Sequence, residues 1–113
     1  MAKFEELNLE ENYPTVAEAM ELLQGEIKWA KQSGTECMYI IHGYGSSGVG
    51  GAIRHKARQW LNAQVRNGNL KAVIPGEEFN VFNSDVVYLM GKYGNLYDLA
   101  RRHNPGATIV RIR

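Results

Sequence analysis

The residues able to do chemistry gather in one stretch, Tyr39 to Leu61, which reads YIIHGYGSSGVGGAIRHKARQWL. Glycines stand at 43, 45, 48, 50 and 51, with His42 in front of them and Arg54, Lys56 and Arg58 behind. Such a loop lets backbone N–H groups turn towards an anion, and a helix opening directly after it adds the positive end of its dipole, roughly half a charge. Arg54, one turn into that helix, adds a full charge to the same anion, and Lys56 and Arg58 extend the basic character. The candidate phosphate site is therefore His42, Gly43, Tyr44, Gly45, Ser46, Ser47, Gly48, Arg54, Lys56 and Arg58. His42 closes an apolar run where a site on an open sheet is expected, and an imidazole titrating near neutrality suits proton transfer or phosphate contact. Tyr44, between two glycines, can stack on a base or sugar.

Gly43, Gly45 and Gly48 spell a literal G-x-G-x-x-G, but a dinucleotide site also needs an acid about 20 residues on to hold the ribose hydroxyls. That region reads NGNLKAVIPG, and the first acid after the loop is Glu77. A Walker-type loop fails as well, because no lysine follows Gly48, Gly50 or Gly51. What survives is anion binding by backbone N–H groups and a helix N-terminus.

Net charge is only +1, yet its distribution is uneven. Residues 1–36 carry a net −5, and Cys37 to Gly76 contain no acid and a net +5. The chain is electrically polar, with its basic part centred on the glycine loop. Glu77, Glu78, Asp85 and Asp98 read as surface and helix-cap residues, and His55 and His103 as solvated or capping ones. Three scattered histidines have no metal-ligand spacing, and the lone Cys37 permits neither an intrachain disulfide nor a two-cysteine zinc site.

The elements that must position these residues can be read from periodicity and caps. Phe4 to Leu9 reads as a short strand. Thr15, three residues before Glu18, has capping-box spacing, and Val16, Met20, Leu23, Ile27 and Ala30 follow at helical spacing. Cys37 to His42 reads as a buried strand. Ile53, Ala57, Trp60, Leu61 and Gln64 share one face of a second helix, leaving a basic outer face. Leu70 to Ile74 reads as a third strand stopped by Pro75. One or two short helices follow, with Asn83 or Ser84 and Asn95 as N-caps, and ATIVRIR closes as a strand. The order β-α-β-α-β-(α)-β predicts an α/β or α+β two-layer sandwich, with a four-stranded, mainly parallel sheet that the helices cover incompletely or on one side.

At 113 residues and 44% hydrophobic the chain can bury one modest core, so residues 1–113 form a single domain. The opening MAKFEELNLEEN is acidic and lacks a basic region followed by an apolar one, and no apolar run approaches a membrane span. A cytoplasmic protein without a membrane partner is expected.

Over IIHGYGSSGVGGAIRHKARQWL the sequence resembles the Smr domain, the small MutS-related family. That family's hallmark is a strand ending in H-G-x-G, then a glycine-bearing loop and a helix of the form LR-x-x-V-x-x-WL. Here these are His42-Gly43-Tyr44-Gly45 and Ile53-Arg54 to Trp60-Leu61, and PGATIVRIR is similar to the family's closing strand. The resemblance implies a βαβαββ-type sandwich, binding of DNA or RNA, and in several members endonuclease activity, with His42, Gly43, Gly45 and Arg54 lining the site. The family's first strand usually carries L-D-L-H-G, whereas this chain has Leu7-Asn8-Leu9-Glu10-Glu11. An amide cannot act as a general base. If the chain cuts, His42 is the candidate acid or base, with Glu10 or a divalent ion filling the missing role; otherwise no cofactor is called for.

The expected function is therefore nucleic-acid binding through backbone phosphate, with phosphodiester hydrolysis tied to His42 and Glu10. A nucleotide or phosphate-metabolite binder using the same loop is one alternative, and a protein-interaction module is another. Phe79, Phe82, Tyr88 and Tyr93, in the segment from Gly76 to Asn104, are candidates for a partner or a homo-oligomer contact.

Overall fold

The computed structural model describes residues 3–43, 49–80 and 82–113. Its elements are β1 (Lys3–Asn8), α1 (Val16–Gln32), β2 (Thr35–Ile41), α2 (Val49–Arg66), β3 (Ala72–Pro75), a 3-10 turn (Gly76–Glu78), α3 (Ser84–Lys92), α4 (Gly94–Ala100) and β4 (Ala107–Arg111). Helix α1 starts where the capping box places it. The Thr15 hydroxyl accepts from the Glu18 N–H at 3.1 Å, and the Thr15 N–H donates to the Glu18 carboxylate at 2.9 Å. Ala19, Leu23, Ile27 and Ala30 form its buried stripe.

The sheet order is β1-β2-β4-β3. Both crossover connections act as expected on direction, so β1, β2 and β3 all run the same way. The expectation of a mainly parallel sheet is nevertheless wrong, because β4 inserts antiparallel between β2 and β3. Only β1 and β2 pair in parallel, and the sheet is mixed. The sequence set each strand's direction through its crossover, but the neighbour of β2 was decided by the return of the last strand.

Helices α1 and α2 cover one face of the sheet, packing Leu23, Ile27, Ile53, Ala57 and Leu61 on Met38, Ile40 and Val110. This is the sandwich the element order predicts. The other face, expected to be covered incompletely or not at all, is covered by α3 and α4, which pack Val86, Leu89, Leu96 and Ala100 on Cys37, Tyr39, Ile74 and Ile109. Alternate residues of β2 thus enter different cores, and its run of apolar residues is the consequence. Phe79 and Tyr93, expected to be exposed, are half-buried in this second core, whereas Phe82 stays open to solvent. Helix α3 is capped as expected by Asn83, whose side chain accepts from the N–H groups of Asp85 and Val86. Helix α4 begins at Gly94, one residue before the expected Asn95 cap, with no side-chain cap. No described helix is long and apolar enough to cross a membrane.

Strand directions fix where the functional residues meet. The C-terminal ends of β1, β2 and β3 and the start of β4 lie at one end of the sheet, since Asn8 pairs with Ile41, Ile41 with Ala107, and Pro75 with Thr108. The segments leaving those ends begin at Leu9, His42 and Gly76, and residues 104–106 lead into β4. Their backbones approach closely. A Cβ at Gly76 would collide with the carbonyl oxygens of Asn104 and Ala107, so only glycine fits there.

Candidate functional site

His42 continues β2 by one residue, and period-two alternation from Met38 and Ile40 aims it at the α1/α2 face. On β4 the same alternation aims Thr108 and Val110 at that face, and because Ile40 pairs with Thr108, His42 lies diagonal to the threonine. The two side chains meet. His42 Nε2 is 2.8 Å from Thr108 Oγ1, and Nδ1 is 2.6 Å from the Gly43 carbonyl oxygen. A carbonyl can only accept, so by elimination Nδ1 carries the proton and Nε2 accepts from the Thr108 hydroxyl. Thr108 Oγ1 in turn accepts from Arg58 Nε at 2.9 Å. A directed chain results, from Arg58 through Thr108 to His42 and on to the first glycine of the loop.

His42 is fully buried, and burial lowers its pKa to about 4. The bond to the Gly43 carbonyl opposes that shift, while the charges of Arg58 and Arg54 add to it. At neutral pH the ring is uncharged and both nitrogens are occupied. In this arrangement His42 fixes the start of the loop, and neither nitrogen is free to exchange a proton with a substrate.

Gly43 has φ +75, a left-handed conformation that favours glycine, and its N–H and that of His42 both donate to the Gly106 carbonyl, at 3.0 and 2.9 Å. Glu10 is brought to the same point. The Leu9 N–H donates to the Ile41 carbonyl at 2.7 Å, the Glu10 N–H donates to the Asn8 side chain at 2.8 Å, and the Glu10 carboxylate then stands against Gly43. A Cβ on Gly43 would lie 2.6 Å from Glu10 Oε2, the end of a flexible side chain that could shift aside, so it is the positive φ that favours glycine there.

Arg54 and Arg58, four apart on α2, share a face, as helical spacing requires. That face is not the free outer surface the sequence suggests for them. Arg58 is turned towards β4, its side chain only 15% exposed, and grips Glu77 with two bonds of 2.9 and 2.7 Å. It also donates to the Ala107 carbonyl at 3.0 Å. Arg54 donates to Glu77 at 2.7 Å, while its Nε is buried and has no partner among the described residues. Glu77, expected to be a surface residue, is therefore the counter-ion of both arginines. The Arg58 bonds are the largest cause of its lowered pKa, opposed by burial and helped by Arg54, and they bring it to about 2. Lys56, two residues from each arginine and so about 200° around the helix from either, is exposed and does not join them. Tyr44, Gly45, Ser46, Ser47 and Gly48 lie outside the described residues.

Alongside the arginines a groove of about 390 Å³ runs over α2, lined by Gly51, Arg54, His55, Arg58, Gln59 and Asn62. Its lining is basic and polar, without a carboxylate. Among the described residues no group of three or more His, Cys, Asp or Glu side chains converges as a metal site would require. Sequence reasoning missed Thr108 and Glu77. The signal for Thr108 was its alternation with Val110 on the closing strand; for Glu77 no signal existed, since 19 residues and a strand separate it from Arg58.

A family profile described as Smr domain matches residues 9–77, more than half of the chain, and the chain belongs to the Smr domain family. Among solved structures, the Smr domain of Thermus thermophilus MutS2 is similar in fold, with a TM-score of 0.55 and 22% sequence identity over 98% of both chains. No curated protein sequence matches this one.

Proposed function

We propose that this Smr domain binds nucleic acid by its backbone phosphates, using the glycine loop, the start of α2 and Arg54. The observation that carries this reading is the pairing of two arginines on Glu77 beside a basic groove at the sheet end where the glycine loop begins, with a buried Arg54 Nε that has no partner among the described residues. Guanidinium groups grip phosphate as they grip carboxylate, and Glu77 occupies the place a phosphate would take. Arg54, its side chain 32% exposed, is the group that exchanges Glu77 for phosphate. Arg58, bound also to Thr108 and Ala107, stays and orients.

The test is binding of single-stranded, duplex and branched DNA and RNA across salt, beside a charge-matched control protein. Affinity should fall steeply with salt, with a slope near −0.9 per neutralised phosphate on duplex DNA. Arg54→Ala should weaken binding evenly across sequences and make the slope shallower by about 1. Affinity no greater than the control's at low salt would sink the reading.

Hydrolysis is a second reading, favoured by the Glu10 carboxylate standing against the first glycine of the loop. An ionised carboxylate there can accept a proton from an attacking water, a role the occupied His42 ring does not offer. Cutting is scored in the same reactions, with and without chelator. Glu10→Gln should abolish it while leaving binding unchanged or tighter, and cleavage that survives Glu10→Gln would remove Glu10 from the chemistry.

A further inference from the structure

The turn between β1 and α1 carries a feature that phosphate binding does not use. Tyr13 is 97% exposed, the most open of the described large hydrophobic side chains. Asn12 and Tyr13 both have positive φ, at 65 and 50. Asparagine visits that region readily, but for a bulky residue such as tyrosine it is unfavourable, so the surrounding turn must hold it there. The restraints are visible: the Tyr13 N–H donates to the Glu10 carbonyl at 3.2 Å, Pro14 follows directly, and Thr15 is locked into the capping box. A strained, well-held turn thus presents a bare aromatic ring to solvent.

The place matters as much as the exposure. Because β1 and β2 are parallel neighbours, their following segments leave the sheet at the same end, and Glu10 ties this turn to Gly43. Glu10 and Glu11 next to Tyr13 repel phosphate, so a strand held through Arg54 would keep its backbone towards α2 and turn a base towards the tyrosine. Stacking on a base face needs an unpaired base, since bases within a duplex are already stacked on one another.

We infer that Tyr13 is a base-stacking platform, making unpaired nucleotides, in single strands or loops, the preferred substrate class of this domain. The inference rests on the proposed nucleic-acid function and gives it a specificity. Tyr13→Ala should weaken binding of single-stranded oligonucleotides about 10- to 100-fold and leave duplex binding unchanged, while Tyr13→Phe retains the affinity. With 2-aminopurine placed along a single strand, the wild type should quench its fluorescence at one position and Tyr13→Ala should not. Trp29→Ala serves as a control, because Trp29 is an exposed aromatic near the far end of α1 and its loss should change nothing. Single-strand binding by Tyr13→Ala at wild-type strength, or an equal loss on duplex and single strand, would overturn the inference. Absence of salt-dependent binding by the wild type would instead overturn the function beneath it, and the Arg54→Ala series separates the two failures.

Discussion

Two carboxylates on opposite faces of the sheet, Glu36 and Glu77, each have a pKa lowered to about 2, by different means. At Glu36 burial alone would raise it, but the Tyr88 hydroxyl at 2.6 Å, the Tyr93 hydroxyl at 2.5 Å and the Lys92 ammonium at 2.9 Å outweigh that cost. All three donors come from α3 and the residue that caps it, and the carboxylate is only 6% exposed. Arg111 beside them lies 4.0 Å over the Tyr88 ring and pairs with Asp85 at 2.8 Å. This is a closed arrangement that pins α3 to β2. Glu77 is held by two guanidinium groups at the sheet end, is partly open to water, and leaves one donor, Arg54 Nε, without a partner among the described residues. Phenols that donate to a carboxylate inside a core have no second occupation, whereas arginines at a sheet end can exchange partners. Under the proposed function, equal depression of two pKa values marks a structural pin in one case and an exchangeable counter-ion in the other.

The largest effect that can break this comparison is at the pin. Glu36→Ala leaves the Tyr88 and Tyr93 hydroxyls without their acceptor beside a buried space and should cost about 3 kcal/mol of stability in urea unfolding. Nucleic-acid affinity of its folded fraction should not change. A gain in affinity would mean that Glu36 restrains binding as Glu77 does. Acid pH gives an effect of similar size on the site side alone. The His42 pKa is about 6.5 in an unfolded chain and about 4 when folded, so between those values the unfolded state binds more protons. Stability should therefore fall as pH drops from about 6.5 to about 4, by as much as about 3 kcal/mol. Both carboxylates remain ionised throughout that window, and their contributions fade only below about pH 4.5, as the folded pKa values near 2 are approached. Denaturation curves at stepped pH should show the first slope in wild type and not in His42→Gln.

Glu77→Ala is the sharper test of exchange. Freed of its counter-ion, Arg54 should bind phosphate without displacing anything, raising low-salt affinity about tenfold and steepening the salt dependence. An unchanged affinity would return Glu77 to the status of a second pin. The smallest expected effect is at Thr108→Val, which keeps the shape but removes the hydroxyl between Arg58 and His42. Two buried nitrogens lose their partner, at about 1–2 kcal/mol, and the loss should appear in melting temperature before it appears in binding.

Much of the frame is legible in the sequence: the Thr15–Glu18 box, the doubly buried β2, the Ile53–Ala57–Leu61 stripe and the cap at Asn83. Each is a local signal, set by residues within one element. The pairing of β4 is not local, because a strand joined through α3 and α4 can enter the sheet on either side of β3. Glu36 shows the limit most clearly. Strict alternation from Met38 would send it into the α1/α2 core, but the register skips it between the pairs Lys3–Thr35 and Phe4–Cys37, and the resulting bulge aims it at α3 instead. At the site, the sequence grouped His42, Glu10 and Arg54 by residue type, and the structure brings Glu10 against Gly43, the residue after His42, and sets Arg54 on α2 beside Arg58. The occupation of His42 by Thr108 and the capture of the arginines by Glu77 were not legible, since both depend on contacts across 66 and 19–23 positions of chain.

The central position of β4 also has a consequence for how the molecule comes into being. Residues 107–111 leave the ribosome after the other elements of this domain, yet β2 and β3 have no bond to one another without them. A nascent chain can pair β1 with β2 and form its helices, but it cannot close the sheet or supply Thr108 to His42. Completion of the fold and completion of the site are one event in biosynthesis, and a partly translated chain carries the glycine loop without the means to set it.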